Sequence, residues 1–353
     1  MIHAVLFDLD GLMADSEPLA EQAWNRVLAR YGHRLDPQTL RDILGLRVID
    51  SAQFLCQRFR LPLTPEQAMA EREQFFLQAV PTQLRAMPGL YPLLAALDER
   101  EIPLAVATSA YRRYALLALE TLGVADAFRV VVTGDEVARG KPHPDIFLLA
   151  AERLSVLPAR CLVLEDAPRG IAAAEAAGMV SAAVPHPRVP RADFAAAHWL
   201  FASLEAVREE LAALLQTERY DAAGGVVVHD GRILVLLRAS RSEVRLPKGH
   251  VDPGESAQQA ALRETQEEGG YGHLAVTGDL GTQTVVFEHD GRRIVRAERY
   301  FRMALTAPPE AAFAGAEPQF QPVWLAPDEA LARLTFAAEQ EWVRRAVGQN
   351  PFL

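Results

Sequence analysis

Acidic residues at the start of the chain and again near position 165 have a spacing that suits phosphate chemistry. Asp8 and Asp10 follow an apolar run with one residue between them, and Glu165 and Asp166 follow a second apolar run. Alternate side chains of an extended segment project to the same side, so Asp8 and Asp10 are expected to face one site. Hydrolysis of a phosphate monoester requires roughly 20 kcal/mol of catalytic stabilisation, which several groups must supply together.

These acids can fill the roles that such a reaction needs. Asp8 is the candidate nucleophile, which would form an aspartyl-phosphate. Asp10 is placed to protonate the leaving oxygen and then to activate water. Glu165 and Asp166 offer hard oxygen ligands of the kind that suit Mg²⁺. An Asp-x-Asp tripeptide alone is common and fits two solvated turn carboxylates equally well, but the complete set is much harder to obtain by chance.

Cationic and hydroxyl groups occur at the ends of other apolar runs. Lys141, within a Gly-Lys-Pro sequence, can neutralise charge between a phosphate and the carboxylates. Thr108, with nearby backbone N–H groups, can hold phosphoryl oxygens. Ser109 is a further candidate substrate contact, or a cap for the helix that follows.

A second acidic cluster lies on one predicted helix, which runs from Ser256 to Glu268. Ser256 begins a capping-box sequence, and a glycine pair after Glu268 provides a stop. Glu264, Glu267 and Glu268 occupy positions i, i+3 and i+4, so their carboxylates share a face. Adjacent anions repel each other unless cations bind, so this spacing predicts one or more divalent ions that hold a diphosphate and activate water.

Residues beside this helix supply further candidates. Arg263 can orient Glu264 or brace Glu267. Gly249 lets the backbone approach a phosphate closely because it has no side chain. Lys248 is either a phosphate contact or an exposed lysine. The alternatives for the helix are a solvated acidic surface and a catalytically silent copy of an active site.

Helical patterns alternate with short apolar runs in the first 200 residues. The predicted strands are Ala4 to Phe7, Leu104 to Ala107, Val130 to Val132 and Leu162 to Leu164. This alternation predicts an α/β, Rossmann-like doubly wound parallel sheet, in which the carboxyl ends of the strands converge on one ligand crevice. A long helical insertion, about Glu17 to Ala86, predicts a cap for that crevice, and Arg47 within it is a candidate substrate contact.

The pattern changes after a linker placed around Leu214 to Tyr220. Two β-hairpins are predicted there, with Asp-Gly turns at Asp230-Gly231 and Asp290-Gly291. One helix between the hairpins and another, near Asp328 to Val347, complete an α+β domain. The expected domains are residues 1–215, with the cap at about 17–86, and residues 221–350.

The first set of motifs resembles the haloacid dehalogenase-like hydrolases that carry an inserted helical cap. The motifs occur in the family's order over about Met1 to Leu214: Phe7-Asp8-Leu9-Asp10-Gly11, Thr108-Ser109, Gly140-Lys141-Pro142 and Leu164-Glu165-Asp166. The resemblance implies that Asp8 is the nucleophile, Asp10 the acid and base, and Thr108 and Lys141 phosphate binders. It also implies Mg²⁺ bound by Asp8, the Asp10 carbonyl and Asp166, with Glu165 bound directly or through water.

The segment from Asp8 to Pro18 looks most like the small sugar-phosphate phosphatases of this family. A sugar-phosphate mutase is the alternative. Mutases related to β-phosphoglucomutase carry a histidine at the position of Ala20, and its absence weighs against that alternative.

The second cluster resembles the Nudix box, in a form similar to the diadenosine polyphosphate hydrolases. The glycine, glutamate and arginine positions match, and Thr265 stands where an aliphatic residue is usual. The resemblance covers about Tyr220 to Gly348 and implies hydrolysis of a nucleoside diphosphate linked to another group. It implies a carbonyl ligand from Gly249, and metal ligands or a base from Glu264, Glu267 and Glu268.

Composition limits the classes of partner. The chain has 353 residues, half of them apolar, and a net charge of -10, so a wide nucleic-acid-binding face is not expected. No apolar stretch reaches the roughly 18 residues of a membrane span. The first residues lead directly into a strand, so no signal peptide is expected and a cytoplasmic location is predicted. The two cysteines are expected to be reduced core thiols.

Together, these patterns predict a bifunctional, Mg²⁺-dependent phosphate hydrolase, with Mn²⁺ as a second metal that would fit. Its expected partners are small phosphorylated metabolites and nucleotide derivatives, not nucleic acid or membranes. The alternative is a phosphatase whose second domain binds a nucleotide and regulates the first. The oligomeric state is not predicted.

Overall fold

The chain forms two compact units, Met1–Thr217 and Glu218–Leu353. The computed structural model describes residues 1–43, 48–186, 189–307 and 317–348. The last helix of the first unit ends at Leu215 and the first strand of the second unit begins at Glu218. The connecting segment is therefore shorter than the predicted linker, because Tyr220 is already a strand residue.

A six-stranded parallel sheet forms the centre of the first unit in the described residues. Its strands are β1 (Ala4–Phe7), β2 (Leu104–Ala107), β3 (Val130–Val132), β4 (Cys161–Glu165), β5 (Val180–Ala183) and β6 (Trp199–Leu200). Their order is β3-β2-β1-β4-β5-β6, and the paired neighbours run parallel. The predicted doubly wound sheet is confirmed. Because β1 lies between β2 and β4, the polar residues that end these strands meet at one edge.

Helices inserted between β1 and β2 form the predicted cap. They are α1 (Glu17–Ala29), α2 (Pro37–Ile43), α3 (Val48–Phe59) and α4 (Pro65–Gln83). They pack around a core of their own that includes Trp24, Leu28 and Leu55. Phe76 on α4 joins the core of the sheet domain instead. Arg47, the candidate substrate contact, lies outside the described residues.

Further helices cover both faces of the sheet. They are α5 (Leu90–Asp98), α6 (Arg112–Leu122), α7 (Asp145–Leu154), α8 (Pro168–Ala176), α9 (Leu204–Glu209) and α10 (Leu211–Leu215). Phe7 and Leu6 are neighbours on β1 and point to opposite faces, so each belongs to a different hydrophobic cluster. The Ile2 backbone N–H donates to the Leu215 carbonyl at 2.9 Å, which ties the end of α10 to the residues before β1.

The second unit contains a mixed sheet. Its strands are β7 (Glu218–His229), β8 (Arg232–Arg238), β9 (Glu243–Arg245), β10 (Lys248–His250), β11 (Leu274–His289), β12 (Arg292–Leu305) and β13 (Gln321–Leu325). The order is β11-β12-β7-β8-β13, with β10 paired to β7 and β9 paired to β8. β7 and β12 are parallel, whereas β7 and β8 are antiparallel. One helix, α11 (Ala257–Gly269), packs through Ala260 and Ala261 into one of the clusters that flank this sheet.

Both predicted hairpins are confirmed. Asp230 and Gly231 connect β7 to β8 with φ values of 46° and 70°. Asp290 and Gly291 connect β11 to β12 with φ values of 49° and 74°. Two consecutive positive φ values are those of a type I′ turn, whose twist matches that of the flanking strands.

The prediction of one helix near Asp328 to Val347 is wrong. The structure has two helices, α12 (Pro327–Arg333) and α13 (Ala337–Ala346), separated by an extended segment. Thr335 in that segment donates its N–H to the Val244 carbonyl and accepts the Val244 N–H, each at 2.9 Å. These bonds to β9 replace the helical bonds, while Leu334 packs into the core.

No helix of the described residues is long and apolar enough to cross a lipid bilayer. Cys56 and Cys161 are both buried and unbridged.

Candidate active sites

The centre of the first candidate site is the Lys141 ammonium group, which lies just before α7. It donates to Asp8 Oδ1 at 2.5 Å, to Glu165 Oε1 at 2.6 Å and to the Ala107 carbonyl at 2.9 Å. Asp8 follows β1, Ala107 ends β2 and Glu165 ends β4, so the carboxyl edge of the sheet supplies all three acceptors. Burial alone would lower the pKa of Lys141, but the carboxylates of Asp8 and Glu165 outweigh it and raise that pKa above its ordinary value.

Three carboxylates gather around this lysine. One oxygen from each of Asp8, Glu165 and Asp166 lies within 4.8 Å of the others. Burial raises the pKa of Glu165 to about 7 and raises the pKa of Asp166 well above its ordinary value. Gly11 permits this approach, because a Cβ at that position would overlap the Asp166 carboxylate. Hard oxygen donors whose charges repel one another, two of them buried and one half-buried, fit a divalent cation.

Glu165 differs from its neighbours in that the chain itself satisfies both of its oxygens. Oε1 accepts from Lys141, and Oε2 accepts the backbone N–H groups of Asp166 at 3.1 Å and Ala167 at 3.2 Å. Gly170 leaves room for this carboxylate, because a Cβ there would collide with it. Glu165 is therefore held in place more firmly than Asp166.

Asp10 is held by two hydroxyl groups that reach one of its oxygens. Ser16 Oγ donates to Asp10 Oδ1 at 2.5 Å, and Tyr114 Oη donates to the same oxygen at 2.7 Å. Burial raises the pKa of Asp10, although these two hydrogen bonds and the nearby Arg72 oppose that rise. Tyr114 is on α6 and Arg72 is on the cap helix α4. Neither residue was a candidate from the sequence. For Tyr114 the reason is that an aromatic residue in a helical stripe indicates core packing.

Thr108 and Ser109 follow β2 at the same edge of the sheet. Thr108 is buried, and its Oγ1 accepts the Ala110 N–H at 3.1 Å. Ser109 is exposed. The residue that caps α6 is Tyr111, so the alternative of Ser109 as a helix cap is wrong.

The second candidate site is built on α11, which has the predicted capping box at Ser256 and ends at Gly270 in the left-handed conformation. Glu264 lies against β10, where a Cβ on Gly249 would overlap its carboxylate. Glu268 is buried and accepts the Lys248 N–H at 2.8 Å. Burial raises the pKa of Glu268 to about 7 and also raises the pKa of Glu264. Two acids of the helix and a glycine of the strand thus meet at one place.

Arg263 links the acidic residues around this site. Its guanidinium donates to both oxygens of Glu255 at 3.0 Å, to Glu264 at 2.6 Å and to Glu267 at 3.2 Å. It also donates to the His250 carbonyl at 3.0 Å. Hydrogen bonds with Glu255 are the main cause that raises the pKa of Arg263, so this side chain stays charged. The arrangement matches a role in orienting Glu264 and Glu267.

Glu267 is less enclosed than the other two glutamates of α11. Its side chain is 35% exposed, against 14% for Glu264. Glu264 and Glu268 line a cavity together with Gly249. Oxygen donors around this cavity also fit a divalent cation, with Glu267 turned towards Arg263.

Lys248 is buried, so the alternative of an exposed lysine is wrong. Its ammonium forms a hydrogen-bonded ion pair with Glu339 of α13 and lies 3.9 Å from Glu298. Glu339 also accepts the Leu246 N–H at 2.8 Å through its second oxygen. Sequence reasoning missed Glu339, because nothing local distinguishes it from the surface glutamates of an amphipathic helix. It fixes the segment that leads into Gly249.

Carboxylates and a lysine meet at the carboxyl edge of a doubly wound sheet that carries a helical cap. This arrangement is typical of a hydrolase. A model of the haloacid dehalogenase-like hydrolases matches residues 2–178, half of the chain, and a NUDIX domain model matches residues 219–346. The chain belongs to the haloacid dehalogenase-like hydrolases, and it carries a NUDIX domain fused to that part.

Similar proteins cover between half and about three fifths of the chain. Fructose-1-phosphate phosphatase YqaB from Escherichia coli is 35% identical over 175 residues, which are 50% of this chain and 92% of that protein. The phosphorylated carbohydrates phosphatase from Thermotoga maritima is 34% identical over 178 residues, 50% of this chain and 82% of that protein. The crystal structure of CbbY from Rhodobacter sphaeroides in complex with phosphate is 28% identical, with a TM-score of 0.54, over 59% of this chain and 96% of that one.

Proposed function

We propose that the protein is a bifunctional, Mg²⁺-dependent phosphate hydrolase. The first unit hydrolyses small sugar phosphates through an aspartyl-phosphate on Asp8, and the second hydrolyses compounds in which a nucleoside diphosphate is linked to another group. The observation that carries the proposal is the buried Lys141 ammonium between Asp8 and Glu165, with Asp166 in the same cluster.

The first reaction starts with the Asp8 carboxylate. It attacks the phosphorus and displaces the sugar oxygen, which takes a proton from Asp10 as its bond to phosphorus breaks. Asp10 then removes a proton from the water that attacks the aspartyl-phosphate. Inorganic phosphate leaves, and both acids return to their starting state. The Lys141 ammonium donates a hydrogen bond to Asp8 Oδ1 and so holds the carboxylate in position.

Asp10 suits the role of an acid that later becomes a base. Burial raises its pKa, so the carboxyl group holds a proton more readily than an exposed aspartate does. Ser16 and Tyr114 both donate to Oδ1, which leaves Oδ2 to face the leaving oxygen. Thr108 and Lys141 bind phosphoryl oxygens in this proposal, and Ser109 contacts the substrate.

Asp8, Asp166 and the Asp10 carbonyl hold Mg²⁺ in the first unit, and Mn²⁺ fits the same donors. Glu165 acts through water, because Lys141 and two backbone N–H groups already occupy its oxygens. A bound divalent ion supplies neutralisation of the charge on the transferring phosphoryl group.

In the second unit, Glu264, Glu268 and the Gly249 carbonyl surround the proposed metal position, and Glu267 serves as a further ligand or as the base. Arg263 holds Glu264 and Glu267 in position through its hydrogen bonds to both. The NUDIX match supports hydrolysis of a diphosphate linkage at this place.

Small phosphorylated sugars are the proposed substrate class of the first unit. Two similar phosphatases are named for fructose 1-phosphate and for phosphorylated carbohydrates, and the chain spans 92% and 82% of their lengths. The names of those two phosphatases support this choice.

The test is a panel of phosphomonoesters and nucleoside diphosphate derivatives, assayed with Mg²⁺. Asp8→Asn should abolish release of phosphate from monoesters and leave hydrolysis of the diphosphate derivatives unchanged. Glu264→Gln should abolish hydrolysis of the diphosphate derivatives and leave release of phosphate from monoesters unchanged. Asp98→Asn, which changes an exposed aspartate at the end of α5, is the matched control. Full monoesterase activity of Asp8→Asn, or no turnover of either class by the unmodified protein, would overturn the proposal.

A further inference from the structure

Two hydroxyl groups from different parts of the first unit converge on a single oxygen of Asp10. Tyr114, in the first turn of α6, donates to Asp10 Oδ1 at 2.7 Å, and Ser16, just before α1, donates to the same oxygen at 2.5 Å. Both side chains are buried, with 7% of Tyr114 and 6% of Ser16 exposed. A carboxyl oxygen has two lone pairs, so these two donors occupy Oδ1 completely. A proton on this carboxyl group must therefore be on Oδ2.

The Ser16 hydroxyl bonds to Asp10 instead of to its own helix. Ser16 is the residue before α1, a position where a serine side chain commonly accepts a backbone N–H of the first turn. Its side chain forms no such bond to α1 within the described residues. The Gly11 N–H donates to the Ala14 carbonyl at 2.9 Å, and this turn brings the chain back towards Asp10. The local structure thus favours the bond to Asp10 over a helix cap.

The Tyr114 ring is held in place by the hydrophobic core of the first unit. Its centre lies 4.9 Å from the centre of the Phe76 ring, at an interplanar angle of 61°, which is the edge-to-face arrangement that aromatic rings favour. Tyr114 belongs to the same buried cluster as Phe7 and Leu9, the two neighbours of Asp8 in the sequence. A ring that is packed in this way has few alternative positions, so its hydroxyl group is fixed in space before a substrate binds.

We propose that Tyr114 is a positioning residue for Asp10, and that it gives the first unit its activity on monoesters whose leaving group is an alcohol. When the bond between phosphorus and the leaving oxygen breaks, its electron pair passes to that oxygen, which takes the proton from Asp10 Oδ2. Rotation of the carboxyl group, or transfer of its proton to Oδ1, would break the hydrogen bond from Tyr114. This inference rests on the proposed phosphatase function of the first unit and adds the residue that sets its range of leaving groups.

The kinetic test compares substrates that differ in how much the leaving oxygen needs a proton. The need is large for the alcohol of fructose 1-phosphate, smaller for phenyl phosphate and smallest for 4-nitrophenyl phosphate. The two aryl esters share a ring, so they differ mainly in this property. The quantity to measure is kcat/KM, because it covers the reaction only up to the aspartyl-phosphate, the step in which Asp10 acts as an acid.

Tyr114→Phe removes the phenol hydroxyl and keeps the packed ring. It should lower kcat/KM for fructose 1-phosphate by about 10- to 100-fold, the factor that corresponds to one hydrogen bond to a charged group. The loss should be smaller for phenyl phosphate and less than about threefold for 4-nitrophenyl phosphate, whose leaving group departs without a proton. A purely structural role would instead lower the three rates by one common factor.

Tyr91→Phe is the matched control, because Tyr91 Oη donates to the Leu122 carbonyl at 3.0 Å and does not contact Asp10. It should change none of the three rates. Ser16→Ala removes the other donor to Oδ1 and should show the same dependence on the leaving group, whereas Ser16→Thr keeps a hydroxyl and should retain most of the activity. Equal losses for the three substrates in Tyr114→Phe, or no loss for fructose 1-phosphate, would overturn the role of Tyr114.

A crystallographic comparison separates positioning from catalysis. Asp10 should have a single conformation in crystals of the full-length protein grown with Mg²⁺ and phosphate, and more than one in the double variant Tyr114→Phe with Ser16→Ala. If this difference is found but the unmodified protein hydrolyses none of the three monoesters, the positioning of Asp10 stands and the proposed phosphatase function fails. If the monoesters are hydrolysed but Asp10 keeps one conformation in the double variant, the phosphatase function stands and the role of Tyr114 fails.

Discussion

Replacement of Glu339 should destabilise the second unit far more than replacement of a surface glutamate on the same helix. In the structure, Glu339 forms an ion pair with the buried Lys248 ammonium and accepts the Leu246 N–H. Glu339→Leu removes both interactions and keeps a side chain that suits a buried position.

The size of the destabilisation follows from the groups that Glu339→Leu leaves without a partner. Among the described residues, the nearest remaining carboxylate to Lys248 is Glu298 at 3.9 Å, which already pairs with Arg296 at 2.6 Å. Removing one partner of a buried ion pair costs about 3–5 kcal/mol. The unpaired Leu246 N–H adds about 1 kcal/mol or more. The total of roughly 4–6 kcal/mol is comparable to the whole stability of a small domain, so the second unit should be largely unfolded at moderate temperature.

The assay is hydrogen exchange in increasing urea, followed by mass spectrometry of peptides. Peptides from Glu218 to Gly348 report on the second unit, and those from the first unit serve as an internal control. Glu341→Leu, which breaks a partly exposed pair with Arg345, should cost under about 1 kcal/mol.

The double variant Lys248→Met with Glu339→Leu removes both charges together. It should be about 3 kcal/mol more stable than the sum of the single effects predicts, because no buried charge is left alone. A Glu339→Leu protein as stable as Glu341→Leu, or strictly additive single effects, would refute this account of the pair.

Three further predictions concern the two sites. Removal of divalent metal with EDTA should abolish both hydrolytic activities, and full activity of either unit in excess EDTA would contradict the metal role. Gly249→Ala places a methyl group on the Glu264 carboxylate and should lower the rate of the second unit by about 100-fold, as a displacement of about 1 Å does, while phosphatase activity stays the same. Burial raises the pKa of Glu268 from 4.5 to about 7, so the metal-free second unit should lose about 3 kcal/mol of its free energy of unfolding as the pH rises through this interval. Urea denaturation in EDTA should show no such fall in the free energy of unfolding for Glu268→Gln. An equal fall in the unmodified protein and in Glu268→Gln would show that another group causes it.

Local sequence patterns were sufficient for the elements that carry the first site. β1, β2 and β3 have the predicted bounds, because each is a short apolar run between polar residues. Both Asp-Gly turns occur where they were expected, since these dipeptides tolerate two positive φ values. Asp8, Lys141 and Glu165 meet because parallel strands end at one edge.

Other features depend on residues that are far apart in the chain. The break between α12 and α13 arises from bonds of Thr335 to Val244, which no local pattern in the helical sequence reveals. Tyr114 reaches Asp10 across 104 positions, and Glu339 reaches Lys248 across 91. Such contacts become visible only when the packing of the helices against the sheets is known.

The hydrogen bond between Ile2 and Leu215 has a practical consequence for the two halves of the chain. The first unit is complete at this hydrogen bond, before the second unit begins. The polypeptide can therefore be divided after Thr217 without removing a strand from either sheet. Each half should then be producible as a separate recombinant fragment, which would let its enzymology be measured with no background from the other.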